Sequence, residues 1–395
     1  MTARATAAPA AAEPEARTEA DVESEQRVTN LELFFDLVFV FALTQVTSML
    51  AGDPSWRGLA RSMLVLAALW WAWVGYSWLT NAIDPEEVSS RLVIFCAMGA
   101  MLVAALAIPQ AFGDHALLFG VAYFIVRAIH VGLYLEAAKD MRGVVGRLAP
   151  FLLIGSGLVV VAAFFDGTAQ GVLWCLALTI DFGGGVIAGG TEGWRLSAGH
   201  FAERHGLVII IALGESVVAI GAGASRTALD PPEVIAVALG VAVVAALWWA
   251  YFDVVAIVAT RHLHEASGAA RAAMARDSYS FLHLPMIAGI VLLALGIKKT
   301  VAHVDEPLKI VPAFALCGGT ALYFAAHVAF RLRNVRTLSR QRVVAIVALL
   351  ALTPVATEAD ALVSLALVAL VCCGLIAYEA LRFRDARARV RGSAA

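Results

Sequence analysis

The sequence predicts an all-α protein: a polytopic transmembrane bundle of about 12 helices. Hydrophobic residues make up 61% of the chain and charged residues only 15%, a balance that soluble domains of comparable length do not have. Apolar runs of about 18 or more residues, long enough to cross the hydrocarbon core of a bilayer, follow one another from residue 31 onwards. Lys and Arg are distributed unevenly among the loops between these runs, as the positive-inside rule describes.

The apolar runs set the position of each helix. They lie near residues 31–50, 59–79, 92–113, 115–136, 147–165, 170–190, 206–225, 233–257, 278–297, 308–330, 341–356 and 359–381. The eleventh run is the shortest, so ten or eleven spans are also compatible with the sequence. Residues 1–28 are rich in Ala, Glu and Pro and are predicted to form a disordered cytoplasmic tail, and residues 382–395 a basic cytoplasmic tail.

Both termini are predicted to lie in the cytoplasm. With 12 spans, the tails and the even-numbered loops carry 22 of the 29 Lys and Arg residues, whereas the odd-numbered loops carry 6. Basic residues stay on the cytoplasmic side because moving them across the membrane is unfavourable. The net charge is −2 and the basic residues form no stripe on a single face, so nucleic acid is not an expected partner. The expected partner is the lipid bilayer, and a homo-oligomer is compatible with the sequence.

The two halves of the chain resemble each other. The motif Trp70–Trp73 (Trp-Trp-Ala-Trp) in the second predicted helix is matched by Trp248–Tyr251 (Trp-Trp-Ala-Tyr) in the eighth. Shorter matches link the first, fourth and sixth helices to the seventh, tenth and twelfth in the same order; chance similarity between apolar helices is the alternative. An even number of helices in each half makes the halves parallel, so we predict a 6+6 tandem repeat with membrane units at residues 29–190 and 191–381.

Ionisable side chains inside the spans are candidates for a functional site, because inserting each of them into the bilayer is unfavourable. Glu32 and Asp36 stand four residues apart on one face of the first helix, near its cytoplasmic end. A structural explanation suffices for Glu32, which lies at the positive end of a helix that Thr29 or Asn30 could cap. Asp36 lies more than a turn deeper and requires a partner.

The fourth predicted helix carries polar side chains on one face, at spacings of 4, 3 and 4: Tyr123, Arg127, His130 and Tyr134. Arg127 lies near the middle of the membrane, where an unpaired guanidinium is strongly disfavoured, so we expect it to contact an acid. Asp36 is one candidate for that acid. A purely structural salt bridge explains Arg127 as well as a functional one does.

Three further acids lie inside the predicted spans: Asp181, Glu215 and Asp253. Asp181 precedes the glycine-rich stretch 183–190, which indicates either close helix packing or a break in the helix. Glu215 lies near mid-membrane among small residues and is the strongest candidate for a functional carboxylate. Together with Asp36 these acids outnumber the buried basic residues, so we expect some of them to be protonated or neutralised by a bound cation.

No metal or cofactor site is predicted. The five cysteines all lie in apolar runs, and no pair of His or Cys residues has the spacing of a zinc site. Glycine-rich phosphate loops and nucleophile-elbow motifs are missing from the sequence. His283 and His327 lie in the cytoplasmic thirds of the ninth and tenth helices, where a lone histidine is more often a hydrogen-bonded packing residue.

Three segments carry recognisable motifs: Glu32–Ala42 (ELFFDLVFVFA), His200–Val217 (with HFAERHGL and ALGESV) and Tyr279–Pro285 (YSFLHLP). They resemble the signature of the bacterial low temperature requirement protein A family, and the resemblance covers the chain from about residue 28 to 380. It implies a polytopic protein of the bacterial inner membrane, named for a requirement in growth at low temperature, and implies no particular substrate or reaction. The positions it marks as characteristic are Glu32, Asp36, Glu203, His205, Glu215 and His283.

Three functions are compatible with these features. The leading hypothesis is a cation- or proton-coupled transporter, or a channel, whose pathway candidates are Asp36, Arg127, His130, Asp181, Glu215 and Asp253. The second, less favoured, is a membrane enzyme or lipid-related accessory protein in which Glu203, His205 and His283 act as acid and base near the cytoplasmic surface. The third is a sensor or assembly factor whose buried charges only fix helix packing.

Overall fold

Long α-helices make up almost all of the fold. The computed structural model describes residues 27–137, 141–187, 194, 196–225 and 230–392. Within these ranges the first half of the chain forms α1 (Asn30–Gly52), α2 (Trp56–Ala82), α3 (Val88–Ala107), α4 (Ala116–Ala137), α5 (Arg142–Ala162) and α6 (Gly167–Ile187). The second half forms α7 (Ala198–Ala224), α8 (Pro231–Phe252), α9 (Val255–Glu265), α10 (Gly268–Met274), α11 (His283–Ala302), α12 (Ile310–Val335), α13 (Arg340–Ala356), α14 (Ala361–Arg382) and α15 (Arg384–Gly392). These residues contain no β-strand, which confirms the all-α prediction.

Eleven helices of the described chain are long and apolar enough to cross a membrane. Three of these spans are composite. α3 continues into a 3-10 turn, Ile108–Gln110, α8 continues into α9, and α10 continues through a π-helical segment, Ala275–Phe281, into α11. The eleventh predicted helix is formed as α13 but has only 17 residues, the lower limit for crossing a bilayer. Large apolar side chains such as Leu37, Phe164 and Leu370 are exposed on the outside of the bundle, as contact with lipid requires.

The N-terminal and C-terminal tails are described only in part. The predicted disordered tail, residues 1–28, lies outside the described residues except for Arg27 and Val28. The predicted basic tail contains a short helix, α15, directly after α14. This helix folds back onto the end of the bundle, since Arg391 contacts Asp253 at the end of α8.

α7 begins earlier than the sequence predicts, and this changes the environment of Arg204. The apolar run predicts a helix from residue 206, but the helix starts at Ala198, directly after its N-cap Ser197. Arg204, which we assigned to a cytoplasmic loop, lies inside the helix and is fully buried. The assignment is wrong because a charged residue ends an apolar run in the sequence even when acids from another helix neutralise it in the fold.

α1 and α7 lie side by side and run in the same direction. Near the N-termini of both helices Glu32 contacts Arg204, and farther along both Thr44 contacts Glu215. Contacts in this order require parallel helices, because the residue numbers rise together along both. α11 packs against both helices and is buried along almost its whole length, which places it at the centre of the bundle.

α11 and α12 approach each other closely because glycines face each other at their crossing. A Cβ atom added to Gly289 would lie 2.6 Å from the carbonyl oxygen of Gly319, and one added to Gly319 would lie 2.6 Å from Leu292 Cβ. Small residues let backbones come together, which favours helix association where surrounding lipid is as apolar as the helices themselves. The two helices therefore form the tightly packed centre of the second half.

The charges distinguish the two ends of the bundle. We use the term basic end for the end at which α2, α4, α6, α8, α12 and α14 finish. The loops at this end, together with α15, carry most of the Arg residues, and the charge bias predicts that it faces the cytoplasm. Glu32, Asp36 and Arg204 lie toward the basic end, whereas Glu215 lies past the middle of α7, toward the opposite end.

Candidate functional site

Arg204 of α7 joins the two acids that the sequence places on one face of α1. Its Nη1 donates to Glu32 Oε1 at 2.7 Å and its Nη2 donates to Asp36 Oδ1 at 2.8 Å. The spacing of four residues brings both carboxylates to one side of α1, so one planar guanidinium can reach them together. All three side chains are almost completely buried. We expected Arg127 as a candidate partner of Asp36, and that expectation is wrong.

α2 completes the surroundings of Arg204. Its Thr80 Oγ1 accepts a hydrogen bond from Arg204 Nη1 at 3.0 Å, and Trp73 Nε1 donates to Asp36 Oδ1 at 2.8 Å. The guanidinium carbon also lies 5.5 Å from the centre of the Trp73 ring, within range of a cation–π interaction. The Trp-Trp-Ala-Trp motif thus contributes directly to this charged cluster.

Glu32 has two roles at the start of α1. Its carboxylate accepts a hydrogen bond from the backbone N–H of Thr29, and the Thr29 hydroxyl accepts one from the N–H of Glu32, which together form a capping box. The structural role expected for Glu32 is therefore present, with Thr29 as the cap. Its Oε2 also lies 3.0 Å from His200 Nε2, while His200 Nδ1 lies 2.9 Å from the side-chain amide of Asn81.

Arg127 and Asp181 form a second buried ion pair, between α4 and α6. Arg127 Nη2 donates to Asp181 Oδ1 at 2.7 Å, and each side chain is 1% exposed. The second carboxylate oxygen of Asp181 accepts a hydrogen bond from the Tyr123 hydroxyl at 3.3 Å, and Arg127 Nη1 donates to the carbonyl of Trp71 at 3.2 Å. The prediction that Arg127 contacts an acid is confirmed, and the acid is Asp181.

The glycines after Asp181 allow close packing of helices. α6 stays helical through Ile187, and a Cβ atom on Gly184 would overlap the side chain of Phe151 on α5. A Cβ atom on Gly185 would lie 3.0 Å from the ring of Trp71. Of the two explanations offered for this stretch, these contacts favour close packing over a broken helix; residues 188–190 lie outside the described residues.

His130 and Tyr134 lie on the same face of α4 as Arg127, as their spacing predicts. The His130 ring packs between Tyr76 and Tyr134, with 5.2 Å between ring centres in each pair. A Cβ atom added to Gly75 would lie 2.7 Å from His130 Cε1, so the glycine leaves room for the ring. His130 and Tyr134 line a small, mostly apolar cavity of about 90 Å³ that also borders Arg127.

Glu215 differs from the other buried acids in its partners. Its Oε2 accepts a hydrogen bond from the Thr44 hydroxyl at 2.5 Å, and Thr47, one turn along α1, lies beside the same carboxylate. The residue is 2% exposed. Lys298 of α11 lies close enough to influence its charge without contacting it. Within the described ranges no Arg, Lys or His forms an ion pair with Glu215.

Asp253 lies at the end of a helix instead of inside one. It is the C-cap of α8, and both Arg387 and Arg391 of α15 form ion pairs with it. Asp253 thus lies at the junction of α8 and α9, within the composite span Pro231–Glu265, and its part in an ion pathway stays a prediction. The C-terminal helix that neutralises it lies in the segment predicted as a basic cytoplasmic tail.

Glu203, His205 and His283 do not form one group. Glu203 is exposed and accepts a hydrogen bond from the backbone N–H of Val28, whereas both histidines are fully buried. The histidine rings lie 5.2 Å apart, and His283 Nε2 lies 2.9 Å from the hydroxyl of Tyr251. The acid and base proposed for an enzyme are thus on opposite faces of α7. Across the described part of the chain, no three His, Cys, Asp or Glu side chains are placed to hold a metal ion.

A third buried ion pair was not anticipated from the sequence. Arg342 at the start of α13 makes two hydrogen bonds to the carboxylate of Glu379 on α14, at 2.9 and 3.0 Å, and its Nη1 lies 3.1 Å from His327 Nδ1. Glu379, an acid near the end of the last apolar run, was the available signal. His327 takes the hydrogen-bonded packing role expected of it.

These pairings reduce the predicted excess of acid. Arg127 neutralises Asp181, and Arg204 supplies one positive charge to Glu32 and Asp36 together, with His200 beside Glu32. Glu215 differs from the other described acids that lie well inside a span. Hydroxyl groups contact its carboxylate, whereas basic residues contact the others. The candidate site is therefore the surroundings of Glu215, supported on one side by the Arg204 cluster.

Comparison with known proteins agrees with the motifs. The chain is 31% identical over 308 residues to Uncharacterized protein RA0937 of Rhizobium meliloti (strain 1021), an alignment that covers 74% of each chain. No solved structure matches the chain. The family model described as Bacterial low temperature requirement A protein (LtrA) matches residues 27–377, which confirms the resemblance seen in the sequence. The chain belongs to the bacterial low temperature requirement A protein family.

Proposed function

We propose that this protein carries protons or small cations across the bacterial inner membrane and that Glu215 is the carboxylate that binds them. The observation that carries the proposal is the pairing of Glu215 with Thr44 and Thr47 and with no basic side chain in the described structure. An ionised carboxylate inside a membrane requires a compensating charge. A proton or a small cation supplies it.

The surroundings of Glu215 suit either occupant. The Thr44 hydroxyl already donates a hydrogen bond to the carboxylate, and hydroxyl and carboxylate oxygens are the ligands that hard cations prefer. Gly214 and Ser216 flank Glu215 on α7. A Cβ atom on Gly214 would meet nothing within 4 Å, so the backbone beside the carboxylate is not tightly enclosed.

The position of Glu215 between α1 and α7 also supports transport, because these would be the first helices of two repeats. Within the first half α1 packs against α2 and α3, α4 packs against α3 and α5, and α6 packs against α5 and α2. In the second half α7 packs against α8 and α11, α12 against α11 and α13, and α14 against α13 and α8. This matching order supports the 6+6 parallel repeat, and transporters of such repeats bind substrate at the interface between them.

Each half also has a buried arginine–acid pair, although the two arginines lie on helices that do not correspond, α4 and α13. Arg127 donates to the carbonyl of Trp71 in the first Trp motif, and Arg342 donates to the carbonyl of Ala250 in the second. Each guanidinium binds an acid on the sixth or twelfth predicted helix, Asp181 or Glu379. We infer that these pairs hold the two halves as rigid units, while Glu215, which has no ion-pair partner in the described structure, lies where the units meet.

Replacing Glu215 by glutamine is expected to abolish transport. The purified full-length protein in liposomes, with a pH-sensitive dye inside, should relax an imposed pH gradient or exchange protons for Na⁺ or K⁺. In the Glu215→Gln variant we expect the flux to fall by about a hundredfold or more, because an amide has almost the same shape and cannot take up a proton. Imposing a gradient of protons, of Na⁺ or of K⁺ in separate experiments identifies the ion that is carried.

The matched control is Glu306→Gln, the same chemical change at an acid that is 75% exposed between α11 and α12. It should leave the flux unchanged. Equal flux in the wild type and in both variants would remove Glu215 from the mechanism.

A sensor or assembly factor is the second candidate, and the closed Arg204 cluster favours it. In that function the buried charges only hold helices together. Glu215→Gln would then lower the melting temperature, and no reconstituted flux would exist in the wild type. A Glu215→Gln variant that keeps its melting temperature and loses flux argues for transport.

A further inference from the structure

A cavity of about 390 Å³, lined by both charged and apolar side chains, lies at the basic end of the second half of the bundle, separate from Glu215. The ends of α8, α12 and α14, the start of α13 and one face of α15 enclose it. The charged and polar side chains of its lining include Asp253, Arg331, Ser339, Arg342, Glu379 and Arg387. None of these residues is among those that surround Glu215, and Arg342 and Glu379 form the ion pair described above.

Positive charge is in excess around this cavity. Its two acids already have partners: Glu379 binds Arg342, and Asp253 binds Arg387 together with Arg391. Arg331 has no acid partner in the described structure, and its Nε donates to the hydroxyl of Thr337 at 2.9 Å. The guanidinium groups around the cavity therefore outnumber its two carboxylates.

The same crowding affects α15. Burial, together with the nearby Arg342 guanidinium, lowers the pKa of Arg387 despite the opposing effect of Glu379. A cation held close to another cation is stabilised by an anion between them. The arrangement thus favours a negatively charged occupant of the cavity.

A hydrogen-bond donor without a partner faces the same space. Ser339 is the N-cap of α13, a helix of 17 residues, and its side chain makes no capping hydrogen bond. The residue is 2% exposed, and its hydroxyl has no partner among the described residues. The first N–H groups of a helix are also free to bind a ligand, and the helix dipole makes this end positive. A buried hydroxyl, a helix N-terminus and guanidinium groups therefore converge on one cavity.

We propose that this cavity binds a phosphate group, either free phosphate or the headgroup of an anionic phospholipid at the membrane surface. Arg331 and Arg387 would bind its oxygens through their planar guanidinium groups, whose geometry matches phosphate, and Ser339 and the start of α13 would donate hydrogen bonds. Arg391 remains on Asp253, so Arg387 can turn toward the phosphate without leaving that acid unpaired.

Thermal unfolding of the full-length protein in lipid nanodiscs tests the proposal in two arms. In phosphatidylcholine discs, inorganic phosphate is titrated against potassium chloride of equal ionic strength, and saturable stabilisation indicates a site for free phosphate. In discs that also contain phosphatidic acid, stabilisation that inorganic phosphate does not reproduce indicates a lipid headgroup site. Either result supports a phosphate site, and no stabilisation in either arm overturns it.

Variants show whether the response comes from this cavity. Arg331→Gln combined with Arg387→Gln should weaken binding by about tenfold or more, and Ser339→Ala, which keeps every charge, by several-fold. The control is Arg340→Gln, an exposed neighbour that does not line the cavity; it should have no effect. Equal weakening by Arg340→Gln, or none by the double variant, would overturn the proposal. If the double variant does not fold, Arg331→Gln and Ser339→Ala decide.

Discussion

Replacing Arg204 with methionine is expected to destabilise the protein by about 3–5 kcal/mol, enough to prevent accumulation of folded protein. Arg204 is the basic residue that both Glu32 and Asp36 bind through their carboxylates. Methionine fills a similar volume but leaves two buried acids four residues apart without a cation. The measurement is the yield of monodisperse protein and its melting temperature in detergent.

A triple variant separates charge from packing. Arg204→Met combined with Glu32→Gln and Asp36→Asn removes the uncompensated charges, so we expect it to recover most of the melting temperature lost by Arg204→Met alone. A wild-type melting temperature for the single variant would contradict the structural role of the cluster. So would a triple variant no more stable than the single one.

Replacing Arg127 with methionine should have the second largest effect, about 3 kcal/mol, because it leaves Asp181 charged between α4 and α6. The carbonyl of Trp71 also loses a donor. Combining Arg127→Met with Asp181→Leu should restore much of the stability, since a buried pair can often be replaced by apolar residues of similar size. Thermal unfolding measures both effects.

The control for this experiment is Arg57→Met in the exposed first turn of α2. It also removes one guanidinium, and we expect a change within about 0.5 kcal/mol, as for most surface substitutions. Similar losses from Arg57→Met and Arg127→Met would indicate that the pair with Asp181 contributes nothing specific.

Most of the helices could be predicted from the sequence because their apolar runs are long and their lengths match the bilayer. The start of α7 could not. His200, Arg204 and His205 interrupt the apolar pattern before residue 206, and the acids of α1 make the burial of His200 and Arg204 possible. A signal was present in the spacing: Glu32 and Asp36 stand four residues apart, as do His200 and Arg204. Ser197 before Ala198 is also a good N-cap.

Pairing between helices was harder to predict than the faces of single helices. The periodicity of α4 correctly placed Arg127 and His130 on one side, but periodicity does not state which helix lies opposite. The sequence therefore suggested Asp36 as a partner of Arg127, whereas the structure places Asp181 of α6 beside it. The role of α15 was missed for a related reason, since five arginines after residue 381 are typical of a solvated tail.

Glu215 was identified as the strongest carboxylate from its depth and its small neighbours, and its functional role remains a prediction. The structure adds the contrast with the other acids. Glu32, Asp36, Asp181 and Glu379 each bind an arginine, whereas Glu215 binds a threonine. The contrast matters because a carboxylate held by arginine gives up its charge reluctantly, while one held by hydroxyl groups can exchange its proton or cation.

Infrared difference spectroscopy of the reconstituted protein tests the role of Glu215 most directly. Spectra recorded at acidic and alkaline pH, and with and without the transported cation, report changes in individual carboxyl groups. The account predicts a carboxyl or carboxylate band that changes in the wild type and in Glu306→Gln and is missing from Glu215→Gln. Identical difference spectra for the wild type and Glu215→Gln would show that Glu215 exchanges neither a proton nor a cation, and would contradict the account.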